Sequence, residues 1–242
     1  MAIRYIIYII LFINFLLEPI LNHFEFKKLK LHPSRRLKYY YMTILGLWLP
    51  VFLIILLTIF GGLTLSELGI KSIRFGAYSI NKWFSYFIIL LSALYFISIV
   101  YHMICMKISS QYRVAYNKKV DHSHASKNIM DVLLPVTAKE KKYWTIVSVS
   151  AGVCEELLFR GFFIYALRDI FPNLSIYIVI LITSFVFGIW HSYQGRKEIL
   201  TTFLVGIFFC LLYISMDSLI PVILLHTFMD WIAKDVHAEG NQ

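Results

Sequence analysis

Seven apolar stretches, each close to the length a helix needs to cross a bilayer, leave this chain little choice of architecture. A hydrocarbon core about 30 Å thick takes roughly 20 residues of helix. Runs of that length or slightly less fall at approximately residues 3–21, 40–62, 82–104, 144–167, 174–191, 199–215 and 218–234. A bilayer excludes unpaired backbone N–H and C=O groups, so segments of this length predict an all-α, polytopic transmembrane bundle. The composition agrees, because 59% hydrophobic and 17% aromatic residues exceed what a water-soluble domain carries and fit a surface that faces lipid.

The basic residues set the expected orientation. Of the 23 Lys and Arg residues, 17 lie in segments on one side of the predicted spans, in 27–38, 107–142, 196–197 and at Lys234, only Arg4, Lys71, Arg74, Lys82 and Arg168 lie on the other, and Arg160 lies inside a span. The excess marks the cytoplasmic side, with the N-terminus outside and the C-terminus inside. The same clustering between apolar runs explains the net charge of +9 without a nucleic-acid partner. The chain then divides into three N-terminal spans in residues 1–106, a basic cytoplasmic connection in 107–142, and four spans in 143–242. The connection, which includes Lys127, Met130, Val132, Leu133 and Leu134, is expected to be a solvated loop at the inner surface, where its charge suits anionic headgroups. Cys105, Cys154 and Cys210 are odd in number and sit in apolar segments, so no disulfide framework is expected. The first run is followed by Glu18-Pro19-Ile20-Leu21 without a small-residue cleavage site, and is expected to be a retained span. No lipidation box is visible at either end.

Ionisable groups at membrane depth are expensive and mark function, and the last four spans are rich in them. In Cys154-Glu155-Glu156-Leu157-Leu158-Phe159-Arg160-Gly161, Glu156 and Arg160 are spaced i, i+4 and share a helix face, where they can neutralise one another. Glu155 points about 100° away from Glu156 and stays available for chemistry. Phe187-Gly188-Ile189-Trp190-His191 ends the fifth span with a histidine, and His226-Thr227-Phe228-Met229-Asp230 places a second histidine and an acid at i, i+4 in the seventh. Glu155 lies about 16 Å along a helix that starts near Trp144, at 1.5 Å per residue. Glu155, His191, His226 and Asp230 are therefore expected to line one cavity in the inner half of the membrane.

A carboxylate with a nearby imidazole can take a proton from water and direct that water at a carbonyl, while further donors stabilise the developing oxyanion. Amide hydrolysis needs these parts. Cys154 has no evident base, and the Ser and Thr residues of these spans lie in no elbow motif.

The ordered set Glu155-Glu156-x-x-x-Arg160, Phe187-x-x-x-His191 and His226-x-x-x-Asp230 resembles the family of CAAX-prenyl endopeptidases and bacteriocin-processing proteins, also called the Abi family, over about residues 135–235. The resemblance implies a glutamate-dependent intramembrane endopeptidase in which Glu155 and His191 activate the attacking water. His226 and the residue at Asp230 hold the oxyanion, and Glu156 and Arg160 organise the site. Asn often stands at the last position. Asp230 donates to an oxyanion only when protonated, and otherwise fixes the tautomer of His226. The family has also been described as metal-dependent, in which case Glu155, His191 and His226 would supply three zinc ligands with water as the fourth. Metal-free hydrolysis is the preferred expectation, with no cofactor.

Two other classes compete. Intramembrane Glu, Asp and His chains also serve proton-coupled transporters, although no inverted repeat is visible. A non-catalytic bacteriocin immunity protein would keep the fold without the chemistry. The expected partners are membrane lipid and a peptide or protein substrate at the membrane: a prenylated CAAX protein in a eukaryote, or a pheromone, bacteriocin precursor or membrane protein in a bacterium. The expected location is a bacterial plasma membrane.

Overall fold

The computed structural model describes residues 2–75, 81–123 and 132–236. Among them every regular element is helical: α1 (Ala2–Leu31), α2 (Arg36–Phe60), α3 (Lys82–Ile108), α4 (Ser110–Ser123), α5 (Ala138–Glu156), α6 (Ile164–Ile170), α7 (Ile176–Trp190), α8 (Arg196–Met216) and α9 (Ile220–Val236). This is the expected all-α bundle. By length and composition, four helical stretches among the described residues can cross a membrane: Ile3–Leu31, Pro33–Phe60, Lys82–Ile108 and Arg196–Met216. α7 is apolar but shorter, while α5 and α9 carry the ionisable residues.

The exposed side chains show what this surface faces. Along α1, Ile6, Ile9, Ile13, Leu16 and Leu17 are exposed, and along α3 so are Phe87, Leu90, Leu94 and Ile97. Contiguous apolar area on this scale does not persist in water. The molecule is an integral membrane protein whose hydrophobic surface is solvated by lipid.

The core lies where α5, α7, α8 and α9 pack together. Its centre is aromatic: Phe159 meets Phe187 and Trp190 edge-on, at centroid separations of 4.9 Å for both pairs. α1 joins it through Phe15, which packs on Phe163 at 4.6 Å and whose carbonyl accepts from Trp190 Nε1 at 3.1 Å. Small residues set the closest helix approaches. A Cβ added at Gly152 of α5 would lie 2.8 Å from the Thr227 backbone nitrogen of α9 and closer still to its hydroxyl. One at Gly188 of α7 would lie 2.8 Å from the Ile199 carbonyl of α8. Small residues at such crossings let backbones approach in lipid, where packing rather than the hydrophobic effect holds helices together. Gly152→Ala is therefore expected to destabilise by about 1–3 kcal/mol, the usual cost of overpacking, read as a lowered Tm in detergent.

α5 does not end where its α-helical hydrogen bonding ends. After Glu156 the chain continues as a π-helical segment, Leu157–Phe163, and then as α6. The fourth apolar run is thus one helical rod with a wide turn in its middle, at the charged motif. Nothing in the sequence pattern announced this, because a π turn inserts one residue without altering the apolar character around it.

The basic connection departs from a solvated loop. Ser110–Ser123 is helical, and residues 124–131, which include Lys127 and Met130, lie outside the described residues. The end of the connection is buried: Leu133 and Leu134 pack with Phe26, Leu29, Tyr40 and Trp144. Tyr40 Oη donates to the Leu133 carbonyl at 2.6 Å, and Arg36 Nε donates to the Val132 carbonyl at 3.0 Å. Satisfying those carbonyls is what allows irregular chain to be buried. Arg36 also pairs with Glu140 at 3.1 Å, and Glu140 forms a capping box with Thr137 that starts α5. Burial works against the charge on Glu140, but the N–H groups of Thr137 and Val136 and the Arg36 guanidinium outweigh it and hold the carboxyl below the usual carboxylate range.

At the opposite end, the loop after α2 is clamped to the α8–α9 turn. Leu219 N–H donates to the Gly69 carbonyl at 2.8 Å and Arg74 N–H to the Met216 carbonyl at 2.9 Å, while Lys71 pairs with Asp217 at 2.7 Å. Arg4 of α1 pairs with Asp169 at 2.8 Å at the same end. Cys154 and Cys210 are buried and Cys105 partly so, and all three are free thiols, in keeping with the sequence.

Candidate active site

Two adjacent glutamates at the end of α5 face different surroundings. Glu156 turns into the core, where it and Arg160 are both fully buried. Arg160 Nη1 donates to Glu156 Oε1 at 2.9 Å and Nη2 to the Gly206 carbonyl at 3.3 Å. The guanidinium carbon lies 4.3 Å from the Phe187 ring centroid and 5.4 Å from that of Phe209. A cation in such a place needs these partners, since desolvation alone would expel it. His226 makes the same carboxylate oxygen a double acceptor, through Nδ1 at 2.7 Å. Glu156 therefore ties α5 to the π segment and to α9 at once. Helix periodicity alone foretold only the Arg160 contact.

Glu155 turns instead into a cleft of about 210 Å³, which also reaches His191, His226 and Asp230. The four residues expected to share a cavity do share one, with Glu156 and Arg160 packed behind it. Glu155 Oε2 is 3.8 Å from His191 Nε2 and has no hydrogen-bond partner among the described residues. His191 Nδ1 lies 2.9 Å from the Phe187 carbonyl. A carbonyl only accepts, so Nδ1 carries the proton and, in the neutral ring, Nε2 presents its lone pair toward Glu155. The Phe187-x-x-x-His191 spacing thus has a second use: the Phe187 ring covers Arg160 and its carbonyl sets the histidine tautomer.

On α9, His226 Nε2 is 3.6 Å from Asp230 Oδ2, too long for a hydrogen bond. The tautomer of His226 is fixed by Glu156, which corrects the expectation that Asp230 does so. The turn holding Asp230 is anchored by Trp144 Nε1, which donates to the Asp230 carbonyl at 2.8 Å. Residues that sequence reasoning passed over complete the wall: Tyr39 and Thr43 from α2, Tyr193 after α7, and Thr202 from α8. Tyr193, two residues past His191, carried the only available signal.

Among the described residues no three His, Cys, Asp or Glu side chains are gathered so as to hold a metal ion.

The fold and site together define a helical membrane protein with a polar cleft sunk into an apolar bundle and lined by Glu155, His191, His226 and Asp230. Comparison narrows the class: residues 139–232 match the family model described as type II CAAX prenyl endopeptidase Rce1-like, and this similarity supports the CAAX-protease family. The match covers α5, the π segment, α6, α7, α8 and most of α9, the elements that build the site. No curated protein and no solved structure matches the chain.

Proposed function

We propose that this protein is an intramembrane endopeptidase in which Glu155 and His191 activate the water that attacks a peptide carbonyl. The observation that carries the reading is the Glu155 Oε2–His191 Nε2 separation of 3.8 Å, at which one water can hydrogen-bond to both atoms. The pair faces the cleft, and the tautomer of His191 is already set. Glu155 takes the water proton as the oxygen adds to the carbonyl carbon, and returns it to the amide nitrogen as the C–N bond breaks. With Nδ1 committed to Glu156, His226 donates from Nε2 to the oxyanion only as the imidazolium. Two carboxylates flank that ring, Glu156 at 2.7 Å and Asp230 at 3.6 Å. Asp230 itself donates only when protonated.

The seven-span arrangement, with the N-terminus outside, belongs to the same proposal. It is supported by the 17 basic residues on one side and by the separate ion-paired ends of the bundle, Arg36–Glu140 and Arg4–Asp169. The cleft then opens toward the cytoplasm. The substrate class is a lipidated or membrane-associated peptide or protein, and the location a bacterial plasma membrane.

The test is cleavage of a quenched fluorescent lipopeptide by purified protein, with and without a zinc chelator. His191→Ala is expected to lower kcat by about 10²–10⁴, the range for loss of a positioned proton-transfer group, and chelator to change nothing. Chelator-sensitive cleavage would replace glutamate-activated water with zinc. A wild type that cleaves no peptide in a broad panel, yet carries a proton flux in liposomes that His191→Ala abolishes, would make the chain a transporter.

A further inference from the structure

A third carboxylate reaches the same chemistry from an unexpected direction. Glu18 lies on α1, outside the region matched by the family model, three residues past the Phe15 carbonyl that holds Trp190. It shares a small cavity of about 40 Å³ with Asn22, Tyr39, Thr43, His191 and Glu155. That cavity joins the catalytic cleft through Tyr39, Thr43 and Glu155. On its other side it joins a groove of about 550 Å³ between α1 and α2, through Glu18, Asn22, Tyr39 and Thr43. The groove walls include Leu21, Leu45 and Leu49, which are exposed on the lipid-facing surface. Adjoining cavities that share wall residues therefore lie in sequence between the side of the bundle and Glu155.

The polar lining that the first two helices give these cavities is Glu18, Asn22 and Glu25 from α1, with Tyr39 and Thr43 from α2. Asn14, Glu18 and Asn22 are spaced i, i+4, i+8 and lie on one face of α1, and Gly46 on α2 leaves room for Glu18, since a Cβ there would lie 3.1 Å from Glu18 Oε1. Glu18 lies beside Asn22 in that cavity and has no cationic partner among the described residues. A half-buried carboxylate in a lipid-exposed bundle without a counter-charge is costly, and such groups mark substrate paths. At the inner end of the series the buried Glu155 Oε2 also lacks a hydrogen-bond partner among the described residues.

We propose that the α1–α2 groove is the lateral entrance for substrate, and that Glu18, with Asn22 beside it, binds a Lys or Arg side chain of the peptide next to the scissile bond. The aliphatic stem of such a residue lies along the apolar groove while its charge meets Glu18. The inference rests on the peptidase reading for the word "scissile", but the binding step does not require cleavage.

The experiment uses three lipid-anchored fluorescent peptides of one length that carry Lys, norleucine or Glu beside the cleavage point, with the full-length protein in detergent and in liposomes. Cleavage is measured for the wild type, Glu18→Gln and Glu18→Lys. Binding is measured by anisotropy for the same three proteins in a Glu155→Gln background. The wild type is expected to favour the Lys peptide over norleucine by about tenfold, a typical worth for a partly desolvated charge pair, with the difference in KM. Glu18→Gln brings that ratio to about one, and Glu18→Lys turns the preference toward the Glu peptide. A preference unchanged by either substitution, one carried by kcat, or absence of binding of all three peptides overturns the proposal. Charge-selective binding that depends on Glu18 without any cleavage would leave the entrance standing and remove the peptidase reading. Gly46→Leu, which narrows the groove at Glu18, is expected to lower kcat/KM at least tenfold more for the liposome-anchored Lys peptide than for a short soluble version. Equal losses for the two would place the entrance elsewhere.

Discussion

Glu155→Gln is expected to reduce kcat/KM by at least about 10³-fold while leaving the thermal unfolding midpoint close to that of the wild type. The two halves of this result have separate origins. Loss of a general base alone accounts for about 10²–10⁴ in rate. The amide keeps the shape and hydrogen-bonding capacity of the carboxyl but cannot accept the water proton. Stability is spared because Glu155 Oε2 has no hydrogen-bond partner among the described residues and lies 3.8 Å from the neutral His191 ring. No interaction that holds the bundle together passes through it. The neighbouring substitution Glu156→Gln makes the control, because that side chain holds both Arg160 and His226. It should lower Tm and activity together. Measured side by side by fluorogenic cleavage and scanning fluorimetry, a Glu155→Gln protein that keeps full activity would end the water-activation role. One that loses activity only in proportion to unfolding would make Glu155 structural.

How far this could be foreseen depended on the kind of signal each element carries. Helices α1, α2, α3, α7 and α8 are written in composition, since lipid demands a long apolar run and little else produces one. The division of labour between Glu155 and Glu156 was also legible, because 100° per residue sends neighbours to different sides. What was not legible required knowledge of which helix packs on which. The Glu156–His226 contact spans α5 and α9, and its geometry depends on Gly152 letting those two backbones approach. The end of the connection before α5 read as solvated because its few apolar residues sit in polar sequence, yet Leu133 and Leu134 are covered once Arg36 and Tyr40 satisfy the neighbouring carbonyls. α2 also reaches the site, where Tyr39 and Thr43 line the cleft, a contribution that its own sequence does not announce.

The largest structural effect is expected at Glu156. Glu156→Leu removes the only carboxylate that Arg160 meets among the described residues and leaves a fully buried guanidinium with the Gly206 carbonyl at 3.3 Å and two aromatic faces. Breaking a buried pair from one side costs about 3–5 kcal/mol, chiefly because the remaining charge is uncompensated. Arg160→Met is expected to cost less, because Glu156 keeps His226 Nδ1 at 2.7 Å and methionine fills much of the vacated volume between Phe187 and Phe209. In the double variant no buried guanidinium remains, so its loss should be smaller than the sum of the two single losses by more than about 1 kcal/mol, the signature of residues in direct contact. Unfolding in mixed detergent micelles measures all three. If the losses simply add, Glu156 and Arg160 act independently, and the role of this pair as the brace that joins α5, the π segment and α9 behind the cleft is lost with them. If they couple as expected, His226 loses its Nδ1 acceptor in each Glu156 variant, and any activity regained in the double variant measures how much of the oxyanion stabilisation depends on the position of that ring rather than on its charge.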